Sequence, residues 1–245
     1  MPLGSQNGYA PWILRPPRRK GFFGKKKNLG YMRSISAEGV LSVKPDLILA
    51  MDDSGPAAAF ASLGQSGIPL FYISSEASPH AALNRITTIA GLVDQVSKGK
   101  TLRDSVARGF EKVDRAARAT RVHPKVLFVL HMANNRLICG GAGSPADKVL
   151  SICGARNVAS AFPGYKMFNP EELAVLQPDI VVTMQENGST VHDVLIENAG
   201  FKMTPAGRKN QLVAVNGEAL LTFGPRTPGA MLDLIHRFTD LMADT

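Results

Sequence analysis

The side chains that most often carry catalysis or bind a metal are scattered along this sequence. Its five histidines are isolated from one another, and Cys139 and Cys153 have no metal-ligand spacing with any of them. The chain contains no serine nucleophile elbow, His-Glu metal motif or nucleotide-binding loop. A Gly-rich run at residues 140–145 lacks the lysine of a phosphate loop. Most such runs are helix caps, although free N–H groups there could meet a carboxylate. These observations give an enzymatic function little support, and we expect that the protein is not an enzyme.

Tyr31 and Arg33 are the best-placed pair of polar side chains. One residue separates them, so both would point to the same side of an extended segment. A phenol has an ordinary pKa of about 10, and a neighbouring cation favours its ionised form, the phenolate. The alternative is a packed surface tyrosine beside a solvated arginine.

Two further residues are candidates for a binding site. His131 follows a strand predicted over Lys125 to Leu130, at the carboxyl end where open α/β sheets bind ligands. A lone histidine is also commonly a hydrogen-bonded structural residue. Arg226 lies in a Gly-Pro-Arg-Thr-Pro turn before the last predicted helix, where its guanidinium could pair with a carboxylate through two hydrogen bonds. The alternative for Arg226 is an exposed loop arginine.

An internal repeat indicates the architecture. Residues 38–51 align with residues 171–184 at a constant offset of 133, and Glu, Pro, Asp and Met recur in register. Each copy predicts a short helix, a Pro-Asp turn, a buried strand and a Gly-bearing loop that opens the next helix. Tyr165 mirrors Tyr31 after a one-residue gap. Two similar α/β lobes explain this pattern.

An amphipathic stretch from Thr101 to Ala119 predicts a helix between the two copies, with Thr101 and Asp104 as a capping box and Gly99 as a break before it. We expect a leader at 1–29, a first lobe at 30–98, a connecting helix at 99–121 and a second lobe at 122–245. The second lobe opens with predicted strands at Lys125 to Leu130 and Arg136 to Cys139, then a helix that Ser144-Pro145 begins.

The first lobe has no comparable start. Only 29 residues precede Gly30, and none predicts a matching strand and helix. The predicted fold class is therefore α/β, with two Rossmann-like lobes joined by one long helix and a first lobe that lacks its opening β-α unit. A displaced start or frame error in the source sequence would explain the missing unit.

Positive charge is concentrated in the leader. Residues 1–29 hold seven basic side chains and no acidic ones, which leaves 21 basic against 20 acidic residues in the rest of a chain with net charge +8. The leader could touch phosphates or anionic lipid, yet it lacks the periodicity of a groove-reading or membrane helix. No apolar run approaches the roughly 18 residues of a transmembrane helix. The first 30 residues also contain no apolar core of a secretory signal peptide.

The segment Gly30–Asp46, GYMRSISAEGVLSVKPD, closely resembles the GYMR-x-LSAEGVLSLKP segment of periplasmic haem-binding proteins. These are the substrate-binding components of bacterial ABC haem importers. The likeness continues through the connecting helix, Gly164–Lys166 and Phe223–Pro228, and it covers about residues 30 to 243. The family belongs to the helix-linked, two-lobed class of binding proteins, which is consistent with the repeat.

The resemblance implies roles for individual residues. The tyrosine of the YMR segment ligates haem iron in the cleft between the lobes, which here is Tyr31 with Arg33 as its cationic companion. Some family members supply a second ligand from near His131, and Met132 is a further soft candidate. Tyr165 would line the far wall of the cleft, although packing in the core or at the rim is an alternative. Arg226 would pair with a haem propionate.

Glu38 and Glu171, the matching acids of the repeat, would dock onto arginines of the membrane permease. Their alternative role is to stabilise the N-terminus of a short helix. The implied cargo is haem, and the implied partners are an ABC permease at the inner membrane and an outer-membrane haem receptor system. The expected protein is a periplasmic monomer that does not bind nucleic acid.

Two alternatives stay open. One is a carrier of a corrinoid or ferric siderophore with the same architecture, because fold alone does not select a ligand. The other is a nonfunctional or regulatory fragment whose basic leader contacts nucleic acid.

Overall fold

The computed structural model describes residues 28–134, 136–184 and 191–243, so nearly all of the predicted leader lies outside the described residues. The chain divides into two compact units, each a mixed α/β structure as predicted. The first comprises residues up to Glu76 together with Asn84–Thr101, and the second comprises Ala77–Leu83 together with Leu102–Thr245. Among the described residues, no helix combines the length and the apolar character that crossing a membrane requires.

The first unit is built on a small parallel sheet. Its strands pair from Ile48–Leu70 to Met51–Ile73, and Ser36 caps the first helix by accepting a hydrogen bond from the N–H of Gly39. The elements are α1 (Ala37–Leu41), β1 (Ile48–Met51), α2 (Ala57–Gly64) and β2 (Leu70–Ile73). The two helices that follow, α3 (Pro79–Leu92) and α4 (Val96–Ala119), each contribute residues to both units. The buried core comprises Val40, Ile48, Ala50, Phe60 and Leu63.

The second unit has a larger mixed sheet. Its strands are β3 (Lys125–Ala133), β4 (Arg136–Gly140), β5 (Arg156–Asn157), β6 (Tyr165–Phe168), β7 (Ile180–Met184) and β8 (Leu212–Val215). Their order is β6-β4-β3-β7-β8, with β5 beside β3. β3, β7 and β8 are parallel, whereas β4 runs antiparallel to both β3 and β6. Because residues 126–129 and 180–182 are fully buried, β3 and β7 form the centre of this unit.

Helices surround that sheet. They are α5 (Pro145–Ile152), α6 (Leu173–Leu176) after a 3₁₀ turn (Pro170–Glu172), α7 (Val191–Glu197), α8 (Ala199–Lys202), α9 (Pro205–Arg208), α10 (Gly217–Leu221) and α11 (Thr227–Ala243). Cys139 on β4 and Cys153 at the end of α5 are buried free thiols. Burial raises the pKa of each thiol to about 12.

The backbone repeats where the sequence repeats. In each copy a helix, α1 or α6, leads through a Pro-Asp turn into a parallel strand, β1 or β7. Lys44 and Gln177, which are 133 residues apart, both adopt left-handed φ values, 49° and 48°. Gly30 and Gly164 are also both left-handed, at 95° and 66°. Because a non-glycine residue rarely adopts this conformation, its recurrence in register supports a duplicated unit.

The predicted start of the long helix is wrong. α4 begins at Val96, Thr101 lies inside it with its hydroxyl bonded to the carbonyl of Ser97, and Gly99 is a helical residue instead of a break. A Cβ at Gly99 would lie 2.1 Å from the Cβ of Ala90 on α3. Glycine therefore permits close packing of the two helices at this position, at the expense of helix propensity.

The packing of Gly99 against Ala90 can be tested with two alanine substitutions. We expect Gly99→Ala to lower the free energy of unfolding by about 1–3 kcal/mol, because neither Cβ can move without its backbone. Gly91→Ala on α3 is the matched control, since no atom lies within 4 Å of its added Cβ. That control should stabilise by about 0.5–1 kcal/mol through helix propensity. Urea unfolding followed by circular dichroism measures both, and a neutral or stabilising Gly99→Ala would contradict the close packing.

Candidate functional site

The Tyr31 turn, residues 31–35, is fastened to the loop that follows β1. The carbonyl of Tyr31 accepts a hydrogen bond from the N–H of Ser34 at 2.8 Å. Gly55 donates its N–H to the carbonyl of Met32 and accepts from the N–H of Ile35, both at 3.0 Å. The backbone of Tyr31 is therefore fixed near the carboxyl end of a parallel strand, while its side chain is 64% exposed.

The segment around Tyr31 is a turn, and the predicted extended conformation is wrong. The hydroxyl of Ser34 reinforces the turn by donating to the carbonyl of Tyr31 at 3.3 Å. The same-side argument for Tyr31 and Arg33 therefore does not apply. What the structure does bring together is the pair itself, on one anchored turn of the first unit.

Asp53 is a functional candidate that the sequence reasoning missed. A nitrogen of the Arg33 guanidinium, Nη2, lies 3.1 Å from Oδ2 of Asp53 in the loop after β1. Both side chains are exposed, so the pair adds little stability but restricts where the guanidinium points. The available signal was the pair of acidic residues, Asp52 and Asp53, that follows the predicted strand, because that end of a parallel sheet collects ligand-binding groups.

A second group of hydrogen bonds orders the loop after β2. Asp52 accepts from the N–H of Ser75 at 2.8 Å, and Arg85 on α3 donates to the carbonyls of Ser74 and Glu76 at 2.8 and 3.1 Å. The hydroxyl and N–H of Ser75 lower the pKa of Asp52 by stabilising its carboxylate. These hydrogen bonds therefore join the loops after β1 and β2 at the carboxyl ends of the two strands, where the Tyr31 turn also lies.

The predicted end of β3 is wrong, and this changes the setting of His131. The strand continues to Ala133 because it pairs with β4 beyond a bulge between Val129 and His131. His131 is thus an exposed strand residue opposite Ile138. Met132 packs against the buried core instead, which argues against it as a ligand.

The strand register brings His131 and Tyr165 to one face of the second unit. His131 pairs with Ile138, which pairs with Met167 on β6. Tyr165 lies two residues before Met167 and therefore points to the same face. His131, Tyr165 and Met167 are all exposed, so Tyr165 is not a core residue.

Arg226 lies in an ordered turn but has a carboxylate partner. Thr227 fixes the turn by accepting a hydrogen bond from the N–H of Gly224 at 2.9 Å. Nη2 of Arg226 lies 3.0 Å from Oε1 of Glu218, and both side chains are exposed. The Arg226 guanidinium is therefore already paired within the second unit.

The Gly-rich run at residues 140–145 is a helix cap. Asp147 accepts a hydrogen bond from the N–H of Gly143, and Ser144 accepts one from the N–H of Asp147. These side chains already satisfy donors at the start of α5, which leaves no reason to assign a ligand carboxylate there.

Glu38 and Glu171 occupy equivalent places at the starts of short helices. Glu38 lies in the first turn of α1, and Glu171 lies in the 3₁₀ turn before α6. Both are exposed, and Glu171 accepts a hydrogen bond from the side-chain amide of Asn198 at 3.4 Å.

Comparisons with known proteins agree with this architecture. The model of the periplasmic binding protein family matches residues 5–219. This chain belongs to that family. A structure of the periplasmic haem-binding protein BhuT in complex with two haems is 33% identical, with a TM-score of 0.81 over 87% of this chain and 82% of that one.

Further relatives include a second haem-binding protein and a vitamin B12-binding protein. The periplasmic haem-binding protein RhuT from Roseiflexus sp. RS-1 is 28% identical, with a TM-score of 0.80 over 87% of this chain and 83% of that one. The vitamin B12-binding protein of Vibrio parahaemolyticus is 24% identical over 88% of this chain and 76% of its own length. Periplasmic binding proteins of this type are substrate-binding components of transport systems and not enzymes. They deliver their ligand to an ABC permease.

The hydrogen bonds of Asp52 predict that its carboxyl group titrates at a lower pH than an ordinary aspartate. A carboxyl group with a lowered pKa contributes stability above its ordinary value of 3.8 and loses that contribution as the pH falls through the lowered value. The amide proton shift of Ser75, measured by NMR, should therefore titrate with a midpoint below 3.8. Asp52→Asn should abolish this titration, whereas Asp53→Asn should retain it. A midpoint at or above the ordinary value would contradict the assigned hydrogen bonds.

Proposed function

We propose that this protein carries haem to an ABC importer and that Tyr31 ligates the iron. The observation that most directly supports this proposal is the exposed phenol of Tyr31. It lies on a turn that two backbone hydrogen bonds hold to the loop after β1. A ligand side chain needs exposure to reach the iron and a fixed backbone to keep its position. The 33% identity with a protein whose structure holds two haems supports haem as the cargo.

The chemistry of ligation follows from charge. Ferric iron favours a phenolate, and a tyrosine oxygen is a known type of axial ligand to haem. Arg33, on the same turn, would balance negative charge of the bound haem. Asp53 pairs with that guanidinium and so limits its movement.

Four further residues are candidates for contacting the haem. His131 is a candidate iron ligand, and Tyr165 and Met167 lie on the same exposed face as His131. Arg226 is the candidate partner of a propionate. Its exposed ion pair with Glu218 contributes at most about 1 kcal/mol, so a propionate could replace Glu218 at little cost.

Delivery would use the two acidic helix starts. Glu38 and Glu171 are equivalent in the repeat and exposed, so each can offer a carboxylate to an arginine of the permease. In this proposal the protein works in the periplasm, receives haem that an outer-membrane receptor system admits, and acts as a monomer.

A corrinoid is the second candidate cargo. The similarity to the vitamin B12-binding protein of Vibrio parahaemolyticus is the observation in its favour. Tyr31 distinguishes the two, because a phenolate–iron bond has a spectroscopic signature that binding of a corrinoid would not produce.

Titration with ferric haem, followed by absorbance, tests the role of Tyr31. We expect the wild-type protein to give a Soret band and a visible charge-transfer band from the phenolate–iron bond. Tyr31→Phe should lose the charge-transfer band. Its haem affinity should fall by more than about 100-fold, because even outer-shell partners of a metal ligand cost about 10–100-fold.

Tyr72→Phe is the matched control for the haem titration. Tyr72 is an exposed tyrosine of the same unit whose ring contacts Phe60, and phenylalanine keeps that contact. The control should retain the full haem spectrum. A parallel titration with cobalamin gives the outcome that would contradict the proposal. The cargo would be a corrinoid if cobalamin bound tightly, if Tyr31→Phe left that binding unchanged, and if haem gave no charge-transfer band.

Charge reversal at both acidic helix starts tests delivery. The double variant Glu38→Lys and Glu171→Lys should lower ATP-driven haem uptake into proteoliposomes that contain the cognate permease, because lysines repel the permease arginines. Haem affinity should stay unchanged. The matched control is Glu111→Lys with Glu197→Lys, which makes the same change in net charge at exposed positions on α4 and α7. Equal loss of uptake in both double variants would contradict a specific docking role.

A further inference from the structure

Arg85 on α3 is bonded to the loop after β2 at two points. Its Nη1 donates hydrogen bonds to the carbonyls of Ser74 and Glu76, at 2.8 and 3.1 Å. A charged donor makes stronger hydrogen bonds than a neutral one. Arg85 is half-buried, so desolvation lowers the pKa of its guanidinium, whereas the negative charges of Glu76 and Asp52 oppose that shift. The loop after β2 is therefore fastened to a helix by a partly desolvated cation.

Asp52 binds the residue that lies between those two carbonyls. Its Oδ1 accepts a hydrogen bond from the N–H of Ser75 at 2.8 Å. The N–H of Asp52 also donates to the carbonyl of Ile73, at the end of β2, at 2.9 Å. Residues 74–76 are thus bonded both to Arg85 and to the loop after β1.

The loop after β1 connects this contact to the Tyr31 turn within three residues. The N–H of Ser54 donates to the carbonyl of Met51 at 3.0 Å, which closes the loop into a tight turn. Gly55 follows and makes the two backbone hydrogen bonds that hold the Tyr31 turn. In a loop this short and internally bonded, a displacement of Asp52 also displaces Gly55.

We propose that Arg85 is a positioning residue for haem ligation by Tyr31. By holding the loop after β2, Arg85 fixes the position of Asp52. Gly55 then passes this restraint to the Tyr31 turn. In this role Arg85 acts through the backbone and needs no contact with haem. The inference rests on the proposed role of Tyr31, but the effect of Arg85 on the turn can be measured without any cargo.

Hydrogen exchange of the full-length protein, without ligand, measures the effect on the turn. The amides of Ser75 and Gly55 donate two of the hydrogen bonds in this chain of contacts. Both should exchange about five-fold faster or more in Arg85→Ala, the equivalent of about 1 kcal/mol for one hydrogen bond. Alanine favours helices, so α3 should keep its conformation in this variant.

Two further variants control for charge and for the loss of the side chain. Arg85→Lys should restore part of the protection, because an ammonium group can also donate to both carbonyls. Arg118→Ala removes the same charge from an exposed ion pair on α4 and should leave both amides protected.

A double-mutant cycle tests whether Arg85 acts through Asp52. In the background of Asp52→Ala, the additional change Arg85→Ala should accelerate exchange of the Gly55 amide by less than about two-fold, since the contact between the loops is already lost. Loss of general stability would instead give additive effects of the two substitutions.

Titration with ferric haem gives the functional result. Arg85→Ala should lower haem affinity by about ten-fold, the smaller of the effects typical of residues that orient a metal ligand. The charge-transfer band should persist at saturation, because Tyr31 still ligates the iron. Tyr31→Phe should lose that band. Arg118→Ala should bind haem with wild-type affinity.

Three outcomes would overturn the positioning role. The first is wild-type exchange of the Gly55 amide in Arg85→Ala, and the second is full additivity in the cycle with Asp52→Ala. The third is wild-type haem affinity in Arg85→Ala despite faster exchange at Gly55. Absence of the charge-transfer band from the wild-type protein would reject ligation by Tyr31, and this role with it, even if the exchange results were as expected.

Discussion

Two backbone hydrogen bonds at Gly55 hold the candidate site in place. They join the carbonyl of Met32 and the N–H of Ile35 to the loop that leaves β1. They help to fix the turn that presents Tyr31 relative to the sheet, although the side chain of Tyr31 is mostly exposed. The position of Asp53 depends on the same loop, and so does the orientation of the Arg33 guanidinium. A functional side chain can be left open to solvent when its backbone carries the restraint.

Both candidate arginines are paired with carboxylates at the surface. Arg33 is held by Asp53 and Arg226 by Glu218. Exposed ion pairs contribute little to folding stability, so these pairs restrict guanidinium movement without making the groups unavailable. An anionic ligand would meet oriented donors whose present partners are exchangeable. This arrangement suits reversible binding better than a buried, fully desolvated arginine would.

The parts of the fold predicted from sequence were those with a local cause. The duplicated helix–turn–strand unit followed from residue types at a fixed spacing, and the cap of α5 at Ser144 followed from a Ser-Pro pair. The errors have non-local causes. Gly99 suggested a helix break, yet it lies inside α4 and gives room for Ala90 on α3. His131 lies within β3 because β4 extends that strand, and a histidine after an apolar run carries no trace of such pairing.

The same limit applies to the candidate site. The sequence indicated Tyr31 and Arg33, but it could not show that Ser34 bends the segment or that Asp53, 20 residues away, receives the guanidinium. The shared face of His131 and Tyr165 also depends on a strand register that no local pattern encodes. Spacing along a chain predicts which side chains are available, whereas their directions depend on partners distant in sequence.

The two buried cysteines have a consequence for the compartment in which such a protein would work. Only the thiolate attacks a disulfide, and because burial raises the pKa of each thiol to about 12, both are protonated at neutral pH. Cys139 lies within the hydrophobic core, and Cys153 donates its S–H toward the carbonyl of Met231. Both sulfurs are therefore poor nucleophiles with restricted access to oxidants. Once folded, the second unit should keep its thiols reduced and avoid mixed disulfides even among the oxidoreductases of an oxidising environment.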